Sequence, residues 1–368
     1  MKKEVLLIIL LFSLISCQRA AETPKETAQN QPVLESPKTA SLEIELSQFF
    51  ELEKEHTYSI ASSDFNKDGF DDVVTGVFNG QSKVFMNNKN GTFTKTPLSL
   101  NKYNTQAVSV IDFDNDGNDD IVIGNNNQPI IIFKNDGMGV FSVNAELDKT
   151  IVEDIAVDDF DLDGFDDFAI ATDFKENCVY FNNRDGTFEK IVVSKGIPST
   201  SIQAADFNND GKIDLVIGVN RRPSEVYLNE GARNFVLHAQ LDGTQNTKAV
   251  AVVDYDDDGK EDIVIGNNKN ANKIYLNKDT FTEQPAFGDG NIYALLSADL
   301  DNNGFNEIVV GDYEHSLRIY SKSNGDYSLL KTVPAGYVHD LAAGDFDGNG
   351  QLDIAVARDN ENSIIYLS

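Results

Sequence analysis

Oxygen-bearing side chains recur at four fixed offsets in seven short stretches of this chain, a spacing suited to binding a hard cation. The stretches open at Asp64, Asp112, Asp159, Asp206, Asp254, Asp299 and Asp345, 45 to 48 residues apart. Positions 1, 3, 5 and 9 are Asp64, Asn66, Asp68 and Asp72 in the first copy, and Asp112, Asp114, Asp116 and Asp120 in the second. The third has Asp159, Asp161, Asp163 and Asp167, and the fourth Asp206, Asn208, Asp210 and Asp214. The fifth has Asp254, Asp256, Asp258 and Asp262, the sixth Asp299, Asp301, Asn303 and Glu307, and the seventh Asp345, Asp347, Asn349 and Asp353. Position 6 is always glycine, which lets the backbone fold sharply, and a carbonyl at position 7 adds to the six to eight oxygens that calcium takes.

Turn formation alone asks for one or two such residues, not four. Two carboxylates ~5 Å apart repel by ~3 kcal/mol at an effective dielectric of ~20, so three or four without a cation would strain each loop. The expected cofactor is calcium, up to seven ions, in a structural role, because protein oxygens would saturate the ion and leave no open position for a substrate. An EF-hand is excluded by the apolar or threonine residue at position 12, as in Thr75 and Ile123, and by the strand that follows. The loops at Asp112, Asp159 and Asp254 carry four carboxylates and are expected to bind tightest. Those with Asn303 and Asn349 are expected to be weaker.

A period of this length belongs to radial or stacked repeats. Each loop is preceded by an aliphatic stretch such as Ala107-Val108-Ser109-Val110-Ile111 and followed by an unbroken apolar run such as Ile121-Val122-Ile123-Gly124, which suits a strand buried on both faces. A third strand (Val84-Phe85-Met86, Ile131-Ile132-Phe133, Val179-Tyr180-Phe181 and later equivalents) leads in most copies to a turn such as Asn90-Gly91, Asp136-Gly137 or Asp185-Gly186. A fourth opens on Phe93, Phe141, Phe188, Phe235, Phe281 or Tyr327. The seventh copy reaches Ser368 after only three strands, and the spare segment Gln48-Phe49-Phe50-Glu51-Leu52 is expected to supply its fourth. The expected fold is all-β, a seven-bladed β-propeller of four-stranded blades, with the last blade closed by an N-terminal strand.

The pattern aliphatic-Asp-Phe-Asp-x-Asp-Gly-x-x-Asp followed by Ile-Val-Ile-Gly resembles the FG-GAP or VCBS repeats of bacterial surface proteins, akin to the propeller head of integrin α subunits. The resemblance covers residues 48 to 368 and is specific for fold, whereas propellers host many activities. It implies that ligands meet the face opposite the calcium loops. Carried over by position, that face holds Tyr58, Tyr103, Tyr293, Tyr337 and His339 from fourth-to-first connections, and Phe78, Phe174, Arg221, Arg222, Tyr313 and His315 from second-to-third connections. The residue six before each loop (Tyr58, Gln106, Glu153, Thr200, Lys248, Tyr293, His339) differs from blade to blade. It nevertheless shares strand parity with an aliphatic two residues later, which marks a candidate ring around the central channel.

Residues 1–16 read as a lipoprotein signal peptide: Lys2 and Lys3, an apolar core from Val5 to Ile15, then Ser16. Leu14-Ile15-Ser16-Cys17 resembles a lipobox and implies lipidation at Cys17, hence a lipid-anchored protein of the bacterial cell envelope, at the outer membrane or cell surface. Residues 17–41 are that cysteine and a flexible tether poor in large apolar side chains, and 42–368 form the propeller. A net charge of −30 argues against nucleic-acid partners. Cys178 at the start of a third strand is expected to be buried and unreactive.

The expected function is non-catalytic binding of a glycan or protein ligand by a monomeric propeller. A polysaccharide lyase acting on uronic-acid glycans through a His/Tyr pair from Tyr313, His315, Tyr337 and His339 is the enzymatic alternative, with Arg318 and Arg358 as the nearest cations. A scaffold subunit of an envelope complex is the third. No Gly-x-Ser-x-Gly elbow or His-Glu-x-x-His is present.

Overall fold

Apolar runs that each follow an acidic loop become strands that water does not reach: in Asp167–Thr172, Asp214–Val219, Asp262–Asn267 and Glu307–Asp312 every residue is buried. The computed structural model describes residues 44, 46, 49–241, 243, 245–278, 280–284, 291–313, 315–323 and 325–368. The signal peptide, Cys17 and the tether lie outside the described residues. A compact unit spans Glu43–Ser368, and among the described residues there are strands but no helix.

The strands follow the repeat. Around the first loop lie β1 (Phe49–Ser63), β2 (Asp72–Gly80), β3 (Lys83–Asn87) and β4 (Phe93–Pro97). Next come β5 (Tyr103–Ile111), β6 (Asp120–Asn135) and β7 (Phe141–Asp158), then β8 (Asp167–Thr172), β9 (Glu176–Asn182) and β10 (Phe188–Lys195). The fourth loop has β11 (Ser199–Ala205), β12 (Asp214–Val219), β13 (Ser224–Asn229) and β14 (Phe235–Leu241). The fifth has β15 (Thr247–Val253), β16 (Asp262–Asn267), β17 (Lys273–Asn277) and β18 (Phe281–Gln284). The last two have β19 (Ile292–Ala298), β20 (Glu307–Asp312), β21 (His315–Ser323) and β22 (Asp326–Gly336), then β23 (Val338–Gly344) and β24 (Asp353–Tyr366).

Three groups form separate four-stranded antiparallel sheets in sequential order: β11 to β14, β15 to β18 and β19 to β22. The other twelve strands are joined into one sheet by β1 and β7, each long enough to pair in two groups, and by a short pairing of β2 with β5. The first half of β7 pairs with β6, and its second half pairs with β8. Likewise β1 pairs through Thr57 to Ser63 with β2, and through Phe49 to His56 with β24. The segment before the first loop thus completes the sheet of the last loop, covering an edge that would otherwise be exposed.

Each hydrophobic cluster is shared by two neighbouring groups. Phe65, Val74 and Val84 of the first pack with Val108, Ile121, Ile131 and Phe133 of the second, while Ile60, Val73 and Phe85 pack with Ala342, Phe346, Ala355 and Ile365 of the last. The glycine ending each Ile-Val-Ile-Gly run explains how closely the groups approach: a Cβ on Gly124 would lie 2.4 Å from Val152 Cγ1, and one on Gly311 2.4 Å from Val338 Cγ1. The first strands touch in succession, β1 with β5, then β7, β11, β15, β19 and β23, which returns to β1. The result is an all-β, propeller-like array.

Candidate functional site

Two sets of side chains sit at opposite ends of these first strands. At the loop end, the position-1 aspartate folds each loop: one carboxylate oxygen of Asp159 accepts from Asp163 N (2.9 Å) and the other from Gly164 N (2.7 Å), and the same pair recurs from Asp64 to Asp345. The position-9 residue begins the second strand and is fully buried in all seven copies. Asp167 accepts from Phe160 N (3.1 Å) and Asn182 N (2.7 Å), tying the loop to the third strand.

Positions 1, 3 and 9 converge. Their ligand atoms lie within 4.8 Å of one another in five loops: Asp112, Asp114 and Asp120; Asp159, Asp161 and Asp167; Asp254, Asp256 and Asp262; Asp299, Asp301 and Glu307; Asp345, Asp347 and Asp353. These five clusters could hold metal ions. Asn66 and Asn208 stand at position 3 of the other two loops, so Asp64 with Asp72, and Asp206 with Asp214, have an amide in place of the third carboxylate. The position-5 residues stand apart from the clusters and turn back on their own loop: Asp163 accepts from Phe165 N at 3.0 Å, Asp116 from Asn118 N at 2.9 Å, Asn303 from Phe305 N at 2.8 Å, and Asp68, Asp210, Asp258 and Asn349 do likewise. Several also meet a basic side chain, as in Lys278 between Asp256 and Asp258.

The chemistry of this donor set fits a cation. One oxygen of Asn66, Asp72, Asp114, Asp120, Asp161, Asp256 and Glu307 is buried without a hydrogen-bond partner, which a structure tolerates when something else satisfies it. Burial pushes the position-9 carboxyls up, to about 7 in Asp72, Asp120, Asp167 and Glu307 and about 6 in Asp214, Asp262 and Asp353; backbone N–H donors pull part of the way back, and neighbouring loop carboxylates push up again in all seven. A divalent ion among them would favour the charged forms.

At the other end of the first strands, the residues six before each loop come together. Tyr58, Gln106, Glu153, Thr200, Lys248, Tyr293 and His339 line one cavity of about 190 Å³. A larger cavity of about 650 Å³ takes in the same mouth and, farther along, Asp154, Asp340, Asp206 and Asn209.

One side of the mouth is an aromatic ladder. Tyr58 stacks between Phe78 (5.0 Å between centroids) and His339 (4.4 Å, 6° between planes). His339 meets Tyr293 at 5.8 Å, Tyr293 stacks on Tyr313 at 5.0 Å, and Tyr313 meets Tyr337 at 4.8 Å. The ammonium of Lys248 lies 5.4 Å from the centre of the Tyr293 ring. Burial lowers the His339 pKa, against the pull of Asp359, and raises that of Glu153 to about 7 although Lys248 opposes it. Gln106 donates to Glu153 of the neighbouring repeat at 3.2 Å.

Other expected ligand residues lie elsewhere. Tyr103 pairs with Gly80 at the edge of β5, its hydroxyl accepting from Asn101 at 3.1 Å. Arg221 and Arg222 are exposed between β12 and β13, and Phe174 is exposed between β8 and β9. His315 opens β21, and its side chain lies outside the described residues. Arg318 lies 3.5 Å from Asp312, and Arg358 lies 3.3 Å from Glu361 and donates to Asn362 O. Cys178 is buried, and its burial pushes the thiol up to about 12, which suits an inert side chain.

Two further features were not singled out from the sequence. An asparagine ends the third strand in five copies, and its amide donates to the backbone of the preceding loop: Asn135 to Phe65 O (2.8 Å), Asn182 to Phe113 O (2.5 Å), Asn229 to Phe160 O (2.7 Å) and Asn277 to Phe207 O (2.6 Å). Recurrence of Asn at that offset is the signal that could have found it. The second is a pair of channel acids. Asp340 accepts from Ser59 Oγ and Ile60 N, and Asp154 from Ser201 Oγ and Ile202 N, while those serines in turn accept from Val108 N and Val250 N.

Repeated acidic loops, each linking the first two strands of a four-stranded antiparallel group, define a repeat β-propeller. The FG-GAP-like repeat matches over residues 64–123, 159–217, 206–265, 254–310 and 299–356, more than half of the sequence, and the chain belongs to this family. Among solved structures it is similar to BBS1N in complex with ARL6DN, in crystals soaked with lead or with mercury: 13% identity, 88% of this chain and 96% of that one, TM-scores 0.63 and 0.62. It is also similar to Chaetomium thermophilum Raptor, with 11% identity, 87% of this chain, 28% of that one and a TM-score of 0.63. At such identities the likeness shows the fold alone. No curated protein matches the chain.

Proposed function

We propose that this protein is a non-catalytic, calcium-stabilised propeller of seven blades that binds a glycan or protein ligand at the mouth opposite its acidic loops. The convergence of seven side chains of six kinds, one per repeat, on one cavity carries this reading. Scaffold strands repeat their aliphatic residues, whereas this ring varies and is half aromatic ladder, as a recognition surface requires. Closure at seven is supported by the succession of first strands that returns from β23 to β1. Calcium is supported by donors that are all oxygens, by the orphaned buried oxygens and by the family. A lipid on Cys17, anchoring the chain to a bacterial envelope membrane, is supported by Leu14-Ile15-Ser16-Cys17. A scaffold role in an envelope complex would use the same mouth for a protein.

The lyase reading gains one observation. Lys248 stands in the mouth with Tyr293 and His339, where a uronate carboxylate would need a cation, and Arg318 and Arg358 are engaged elsewhere. Incubating the calcium-loaded chain with uronic-acid polysaccharides separates the two: a binder leaves the unsaturated-uronate absorbance flat, and a steady rise that His339→Ala abolishes would make the protein an enzyme. For binding itself, Tyr58→Ala with His339→Ala should remove retention of the ligand on the immobilised chain, and retention unchanged by both would move the site away from the mouth.

A further inference from the structure

Taking the mouth as the ligand site, as proposed above, we infer that its ligand is a neutral, hydroxyl-rich group, the uncharged sugar residue of a glycan, and not an acidic or basic one.

The ladder presents edges and hydroxyls, not open faces. Tyr58 is covered on both sides, by Phe78 and His339, and Tyr293 has Tyr313 against one region of its ring and the Lys248 ammonium over it. Selectivity therefore rests on the polar groups around the ladder. These are mixed: the Tyr58 and Tyr293 hydroxyls, the Gln106 amide and the His339 imidazole each have donor and acceptor capacity, and the Thr200 hydroxyl, which donates to Thr247 O at 3.0 Å, has lone pairs left to accept. Only a ligand whose own groups do both can match such a set, and hydroxyls do.

Charge excludes the alternatives. A carboxylate entering the mouth would meet Lys248 but also Glu153, with Asp173 acting on Glu153 and Asp359 on Tyr58 and His339. An ammonium or guanidinium would find those acids but displace or face Lys248, whose position over Tyr293 already takes the cation–π contact. Either charge would be desolvated in a channel that repels it in part, a cost that a neutral polyol avoids.

The test is a binding screen of the calcium-loaded full chain against neutral oligosaccharides, uronic-acid oligosaccharides, glucosamine oligomers and charged peptides, followed by calorimetry. Binding to a neutral oligosaccharide that changes less than twofold between low and high salt, and weakens about tenfold in Tyr293→Phe and in Thr200→Val, is the expected result. Binding of only charged glycans or peptides, lost in the same variants, would overturn the neutral assignment and leave the mouth as the site. Ligand binding that ignores both variants, or no binding by any of the four classes, would overturn the mouth as well.

Discussion

The side-chain amide of Asn87 donates to the backbone carbonyl of Phe346 at 2.8 Å, joining residues 259 positions apart. It is the same bond that Asn229 makes to Phe160 within the array, so the meeting of the chain's ends reproduces an internal junction. The Asn87 amide also donates to Asp71 O, and its carbonyl accepts from Lys89 N. Asn87→Ala should lower stability by about 1–3 kcal/mol, as a buried carbonyl loses its donor, and Asn229→Ala by a similar amount. Urea melts in calcium check this. A silent Asn87→Ala beside a costly Asn229→Ala would mean that the ends are not joined in this way.

The terminal strand should be indispensable where the tether is not. Removing residues 1–41 should leave a cooperative melt, whereas removing residues 1–56 strips β24 of its partner and exposes a paired edge. The shorter chain should aggregate or melt far lower. Equal melts for the two truncations would contradict the pairing of β1 with β24.

Gly124 and Gly164 should fail for different reasons. A Cβ on Gly124 collides with Val152, whereas one on Gly164 meets nothing within 4 Å but sits at φ +88°. Gly124→Ala should cost about 1–3 kcal/mol through overpacking, relieved in part by Val152→Ala. Gly164→Ala should cost about 1–2 kcal/mol through the left-handed backbone, with no relief from that partner. A double-mutant cycle distinguishes them.

Burial raises the carboxyls of Asp154 and Asp340 to about 7 and about 6, above the ~3.9 of an exposed aspartate. An acid raised on folding contributes its stability fully below the unfolded pKa and loses it as pH rises through the folded one. With calcium saturating the loops, this share should fall between about pH 4 and about pH 7. Asp154→Asn should remove part of that fall, seen as a changed difference in melting temperature between the two proteins across the window. A difference independent of pH would show that Asp154 does not titrate there.

Much of this molecule can be read from its residues because each repeat states the same thing. The glycine at position 6, the apolar run behind it and the aromatic that opens each fourth strand predict the four-stranded groups, and Phe49 to Leu52 predict the closing strand. Parity along the first strand places Tyr58, Lys248 and His339 in one ring. What one repeat cannot state is how side chains meet across repeats. The stack of Tyr58 on His339 and the reach of Asn87 to Phe346 depend on the angle between neighbouring sheets. Tyr103, Arg221 and Arg222, assigned to the ligand face by connection type alone, are not among the residues that line the ring cavity.

On the function proposed above, the convergent carboxylates hold calcium and so fasten the sheets. Thermal unfolding of the full chain in calcium and in excess chelator tests it most directly: each site should add about 1.4 kcal/mol at free calcium tenfold above its dissociation constant, so chelation should lower the melting temperature by many degrees and added calcium restore it. An identical melt in both conditions would contradict the account.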